Sequence, residues 1–173
     1  MLKHTGIATA EELSQIKPDC EQRQQGPVAW IECFHEIPCD PCHEACPVEA
    51  IKPFSDINHL PSIEHEDCTG CGMCVANCPG LAVFVIDETY SNTHALMALP
   101  HEFTPVPEPG DEVVLMTRAG EQAGTSEVQR VQNPKSFDRT AVVWVEVPQN
   151  MIEQVRAIKP LHQAQAKVVD SSE

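Results

Sequence analysis

Apolar positions along this chain fall into short runs bounded by turn residues, and most of those runs have the length of strands. Pro27-Val-Ala-Trp-Ile-Glu32 and Val83-Phe-Val-Ile-Asp87 each read as a short β-strand. Three more strands are expected at Glu112–Met116, Ser126–Val131 and Thr140–Val147, with a turn at Arg118–Gln122 and a loop at Asn133–Arg139. Ala95–Leu99 is an apolar patch inside a stretch that otherwise reads as a linker. Two helices are predicted at the ends. Thr9-Ala-Glu-Glu12 fits a capping box opening a helix that reaches Lys17, where Pro18 stops it. Asn150 caps a second helix over Met151–Ile158, ended by Pro160.

These elements divide the chain into an N-terminal extension with a short helix (1–24), a first domain (25–88), a linker (89–103), a small all-β domain (104–150), and a helix with a polar tail (151–173). The β domain has three or four strands, too few for a sandwich, so an SH3-like barrel or curled sheet is expected, in an α+β chain overall. Aromatic residues are 5% of the chain, thin for a conventional core, and the net charge is −15. So acidic a surface opposes nucleic acid and anionic membrane and suits docking to a basic patch. It serves solubility equally well.

The cysteines change the picture most. Cys68-Thr-Gly-Cys71-Gly-Met-Cys74-Val-Ala-Asn-Cys78-Pro79 is Cys-x2-Cys-x2-Cys-x3-Cys-Pro, the run that holds a [4Fe–4S] cluster. Cys39-Asp-Pro-Cys42-His-Glu-Ala-Cys46-Pro47 repeats its second half about 32 residues earlier. Between the copies, Lys52–Asp67 reads as an irregular connector. The earlier copy starts differently: Cys33 stands five residues before Cys39, where two is usual, and Cys20, His35 and His43 are alternatives to it as a ligand. Hydrogen bonds to sulfur raise a cluster's potential and negative charge lowers it. Gly70 and Gly72 are expected to let backbone N–H groups approach the sulfurs of the later site, while Pro41 lacks an N–H and Glu36, Asp40 and Glu44 lie nearby. The earlier site is therefore expected to have the lower potential.

Other chemistry finds no support in the residues. The eight histidines lack metal spacing, there is no Gly-x-Gly-x-x-Gly for a nucleotide, and no Ser/His/Asp grouping. The cysteine run is not the Cys-x3-Cys-x2-Cys of radical SAM enzymes. A chain that performs no bond chemistry itself is expected. The sequence opens without a secretory signal and contains no run long enough to span a bilayer, so the cysteines read as metal ligands in a reducing cytoplasm.

Residues 27–87 resemble a bacterial two-[4Fe–4S] ferredoxin. The resemblance implies a pseudo-twofold domain closed by pairing of the 27–32 and 83–87 strands. It also implies crossed ligation, with Cys33, Cys39, Cys42 and Cys78 on one cluster and Cys68, Cys71, Cys74 and Cys46 on the other. More widely, residues 26–158 resemble the small ferredoxin-type subunit of multisubunit flavin-dependent amine, opine, proline or hydroxyproline dehydrogenases. The likeness rests on Gly26–Cys33, Ile37–Cys42, Cys68–Cys74, Cys78–Ala82 and Asn133–Thr140. It implies a non-catalytic relay of single electrons between larger flavoprotein subunits, with FAD or FMN in the partners and none in this chain. A free-standing, diffusible ferredoxin with an accessory β domain is the alternative, and an iron–sulfur sensor a third.

Overall fold

The computed structural model describes residues 5–137 and 139–161. After two short helices, α1 (Ala10–Ser14) and α2 (Cys20–Arg23), come β1 (Val28–Ile31), α3 (Pro41–Glu44), α4 (Met73–Asn77) and β2 (Val83–Asp87). The remaining strands are β3 (His94–His101), β4 (Glu112–Thr117), β5 (Gln122–Gln132), β6 (Ala141–Pro148) and β7 (Val155–Pro160), with 3-10 turns at His65–Asp67, Lys135–Phe137 and Gln149–Met151. Thr9 forms the expected capping box with Glu12, and Asp19 forms a second with Gln22 that opens α2.

The ferredoxin-like half is built as a twofold repeat. β1 and β2 are antiparallel, Ile31 facing Val83. A second, isolated antiparallel bridge joins Ile51 to Ile63. Shifting the pair Ile31 and Val83 by the 32-residue repeat gives 63 and 51, so one pairing is the image of the other. The turns after the two Cys-Pro steps match as well. Glu49 and Leu81 both take left-handed backbone (φ 52° and 50°), and their N–H groups donate to the carbonyls of Cys46 and Cys78.

Three expectations need correction. The 89–103 linker contains β3, a strand buried along most of its length that pairs with β2 on one side and β6 on the other. The helix expected over 151–158 is a 3-10 turn followed by β7, which pairs antiparallel with β4. Within that stretch Val155, Arg156 and Ile158 are buried, and tertiary pairing overrides helix propensity. The 104–150 region is not a closed barrel. All seven strands form one open sheet in the order β1-β2-β3-β6-β5-β4-β7, so the ferredoxin hairpin runs directly into the added strands. The tail beyond residue 161 lies outside the described residues.

The long strand β5 is the corner of this sheet. Its first half pairs with β4 and its second half with β6, with register irregularities in both ladders. β4 and β7 thereby fold back over one face of β1-β2-β3-β6. Trp30, Phe84, Ile86, Met97, Leu99, Val143 and Val145 point into that layer with Leu115, Val155 and Ile158. The alternate residues Ala29, Ile31, Val83, Val85, Ala98, Val142 and Trp144 point to the opposite face, against α4 and six of the cysteines. With both faces buried, these strands read as unbroken apolar runs in the sequence.

Candidate metal centres

The repeat places the last two cysteines of each run by simple helix geometry. Cys42 lies inside α3 and Cys46 just beyond it; Cys74 lies inside α4 and Cys78 caps its C-terminus. Four residues of helix rise about 6 Å. The last cysteine of each run is therefore carried past its own loop toward the neighbouring one. The result is two cavities. One is lined by Cys46, Cys68, Cys71 and Cys74, with Ala29, Ile51, Ile63 and Val85 among its apolar walls. The other is lined by Cys33, Cys39, Cys42 and Cys78, with Ile31, Phe54 and Val83.

The electrostatics of the sulfurs repeat this grouping. Burial pushes the Cys42 thiol up to about 11, and Cys78, Cys39 and Cys33 add to the rise while the His43 N–H opposes it. Burial raises Cys74 more strongly, reinforced by Cys68, Cys71, Cys46 and also Cys42. Cys33 and Cys39 are raised by burial and then by Cys78. Thiols crowded in apolar surroundings resist ionising together, and bound iron supplies the positive charge that permits it. The residues present fit [4Fe–4S] groups: each cavity offers an all-cysteine set of four. Among the described residues, no three His, Cys, Asp or Glu side chains converge on one point as a single metal ion requires. A cubane, whose four irons each take a separate thiolate, spreads its ligands around a volume instead.

Of the alternatives to Cys33, Cys20 is exposed on α2, accepts a hydrogen bond from Gln24 Nε2 at 3.2 Å and lines neither cavity. His43 is tied by Nδ1 to the Ile51 carbonyl at 2.7 Å. His35 does border the Cys33 cavity, as does His59.

The glycines have a steric role that the sequence did not announce. A Cβ on Gly70 would come within 2.5 Å of Pro27 Cβ and 2.8 Å of its carbonyl oxygen, so Gly70 lets the 69–72 loop press onto the start of β1. Gly72 lies against Gln132 and Val142. Backbone N–H groups from elsewhere reach sulfurs at both cavities. The Ala82 N–H donates to Cys78 Sγ at 3.4 Å, and the N–H groups of His35 and His43 act on Cys33 and Cys42. At the Cys68 side the Ala29 N–H donates to Cys68 Sγ, also at 3.4 Å.

A charged network absent from the sequence reading adjoins Cys33. Glu32, at the end of β1, accepts Arg118 Nε at 2.9 Å and Nη2 at 2.6 Å, and Arg156 Nε at 2.8 Å. Arg118 lies just beyond β4, and Arg156 lies on β7. Arg156 also donates to the Ile152 carbonyl and stacks over Trp30 and Phe84. Burial alone would raise the Glu32 carboxyl, but the two guanidiniums outweigh it and hold it below its ordinary range. The partners are 86 and 124 residues away, so no local signal announced them.

Comparison with known proteins agrees with this geometry. Residues 33–82 match the 4Fe–4S dicluster domain family. They form a ferredoxin-type iron–sulfur, electron-transfer domain. Two uncharacterized ferredoxins of Methanocaldococcus jannaschii are similar. One is 44% identical over 59 residues, 34% of each chain. The other is 41% identical over 84 residues, 43% of this chain and 48% of that one. Ferredoxin-type protein NapF of Haemophilus influenzae is 34% identical over 61 residues, 33% of this chain and 35% of its own length. The chain thus spans a third to about half of these relatives. No solved structure matches it. Among the described residues no helix is long and apolar enough to cross a membrane.

Proposed function

We propose that this chain is the electron-relay subunit of a cytoplasmic, multisubunit flavin-dependent dehydrogenase that oxidises a C–N bond of an amine or amino acid. In this reading Cys33, Cys39, Cys42 and Cys78 hold one [4Fe–4S] cluster, and Cys68, Cys71, Cys74 and Cys46 hold the other. The cysteine lining of the two cavities supports both sets. Bound clusters carry one electron each, which suits them to divide the electron pair of a partner's FAD or FMN. The protein's part is to place and insulate. Ile31, Val83, Ile51 and Ile63 keep water from the sulfurs, and Cys42 and Cys74 bring the two sites side by side.

The sheet carries the subunit reading. The hairpin that closes the ferredoxin repeat is fused on its β2 side to five further strands, and Glu32 is fastened to β7 and to the turn after β4. A diffusing carrier needs none of this; a component locked between larger subunits does. Purification of the full chain from its own cells tests it. A flavoprotein is expected to co-elute, with about eight irons per relay chain, four for each cluster. Elution alone would favour the free-standing ferredoxin.

A further inference from the structure

Both cavities reach the surface, but their mouths differ in character. Among the described residues, seven large apolar side chains are exposed. Three of them bracket the cavity of Cys33, Cys39, Cys42 and Cys78. Ile37 (51% exposed) lines that cavity and also the neighbouring cleft, beside Phe34 and Leu81. Ile57 (48%) is held there through its carbonyl, which accepts the Cys39 N–H at 3.2 Å. Leu60 (43%) borders a groove with Cys33 and Pro61. Carboxylates are interleaved with them: Glu36 next to Ile37, Asp40 next to Cys39, and Asp56 next to Ile57. Over residues 33–82 the chain carries eight carboxylates against one lysine, Lys52, and that lysine is paired with Asp67.

We propose that the mouth of the Cys33, Cys39, Cys42 and Cys78 cavity is the docking face for an electron-exchange protein that presents lysines and arginines around an apolar centre. The inference rests on the relay reading and adds to it which end of the relay meets that partner. The acidic rim steers a basic surface toward the mouth, and apolar contact then excludes water between the redox centres. A second copy of this chain, acidic in the same place, is repelled. The five-residue spacer gains a purpose, since it supplies Phe34, His35, Glu36 and Ile37 to the rim. One electron leaves the reduced chain and the partner's centre accepts it, with no proton or further reactant required.

The test uses the full chain with its clusters, reduced by dithionite, and ferric cytochrome c, a lysine-rimmed protein, as the probe. The oxidised chain and ferrous cytochrome c are the products. Glu36→Lys with Asp56→Lys is compared with Glu112→Lys with Glu127→Lys, a cross-strand pair on the accessory sheet that changes net charge equally. Iron content and visible absorbance confirm that each variant is loaded. The rim pair is expected to slow the second-order rate about tenfold or more at low salt, and the control pair about twofold or less. Ile37→Ser with Ile57→Ser and Leu60→Ser is expected to slow transfer without changing its salt dependence. Equal slowing by the two charge pairs would show bulk charge alone and overturn the proposal. So would an unchanged rate in the serine variant, or self-association of the wild type through this face. The relay reading fails separately, if the chain purifies without a flavoprotein while the face variants still behave as stated.

Discussion

A cysteine four residues beyond another on a short helix points at a different cavity, and this small fact sets the behaviour of single substitutions. Cys46 belongs by sequence to the earlier run and by geometry to the Cys68, Cys71 and Cys74 cavity. Cys46→Ala is therefore expected to lower iron content by up to half and to remove the signal of the later site first, as electron paramagnetic resonance would record. Loss confined to the Cys39 site would contradict the crossing. Cys20→Ser, on exposed α2, is expected to leave iron unchanged. The potentials belong to this scale as well. One backbone N–H donates to a sulfur at each site, Ala82 to Cys78 and Ala29 to Cys68, both at 3.4 Å, while the half-buried Asp40 adds negative charge beside Cys39. A cluster held by Cys33, Cys39, Cys42 and Cys78 is thus expected to keep the lower potential, the order expected from the sequence. A redox titration resolved by site, using the cluster that survives in Cys46→Ala, checks the order. The cysteine pattern was legible because ligand spacing is local. The roles of the glycines were not, because Gly70 answers to Pro27, more than 40 residues away.

At the scale of elements, the misread segments share a cause. β3 contains two histidines and Pro100, and it reads as a connector until its neighbours are known. Its pairing with β2 covers Leu96–Ala98, while its pairing with β6 continues to His101. Pro100 therefore sits where the strand has a single partner and its missing N–H costs little. β7 likewise exists because the free edge of β4 offers a ladder. Strands that bury both faces, β2 and β6, were legible at once because burial shows as an apolar run. What fastens β7 was not, since it depends on Arg156 meeting Glu32. Removing one member of a buried, hydrogen-bonded pair costs about 3–5 kcal/mol, so Arg156→Ala is expected to lower the unfolding free energy by that order in chemical denaturation. pH should reveal the same contact. The Glu32 carboxyl is held below its ordinary value of 4.5, so its contribution is complete above that pH and is lost as pH falls through the lower, folded value. The stability gap between wild type and Glu32→Gln is accordingly expected to stay constant from pH 7 to about 5 and to shrink on further acidification. A gap that widened toward acid would reverse the sign of the assignment.

At the largest scale the seven strands of the described residues form one sheet with two unlike faces, and the two predict different dependence on iron. The layer between β1-β2-β3-β6 and β4-β7 contains Trp30, Met97, Leu99, Leu115 and Val143 and no cysteine. The opposite face packs Val75, Phe137, Val142 and Trp144 with Cys42, Cys74 and four further cysteines, Cys33, Cys46, Cys68 and Cys78. Aromatics are sparse, but aliphatic side chains from the seven strands, with Trp30 and Phe84, supply the first layer without cysteines. Binding energy from metal is folding energy only for the parts whose ligands are otherwise uncompensated. Iron removal by a chelator under reducing conditions is therefore expected to release residues 33–82 and spare most of the sheet. Hydrogen exchange should accelerate across the 39–46 and 68–78 loops while β3, β4 and β6 stay protected. The two tryptophans give an independent reading because each marks one face. With Trp144→Phe, the near-ultraviolet dichroism of Trp30 should survive chelation; with Trp30→Phe, that of Trp144 should diminish. If both signals collapse together with all protection, the faces form a single cooperative unit, and the clusters are as necessary to the accessory strands as to the loops that hold them.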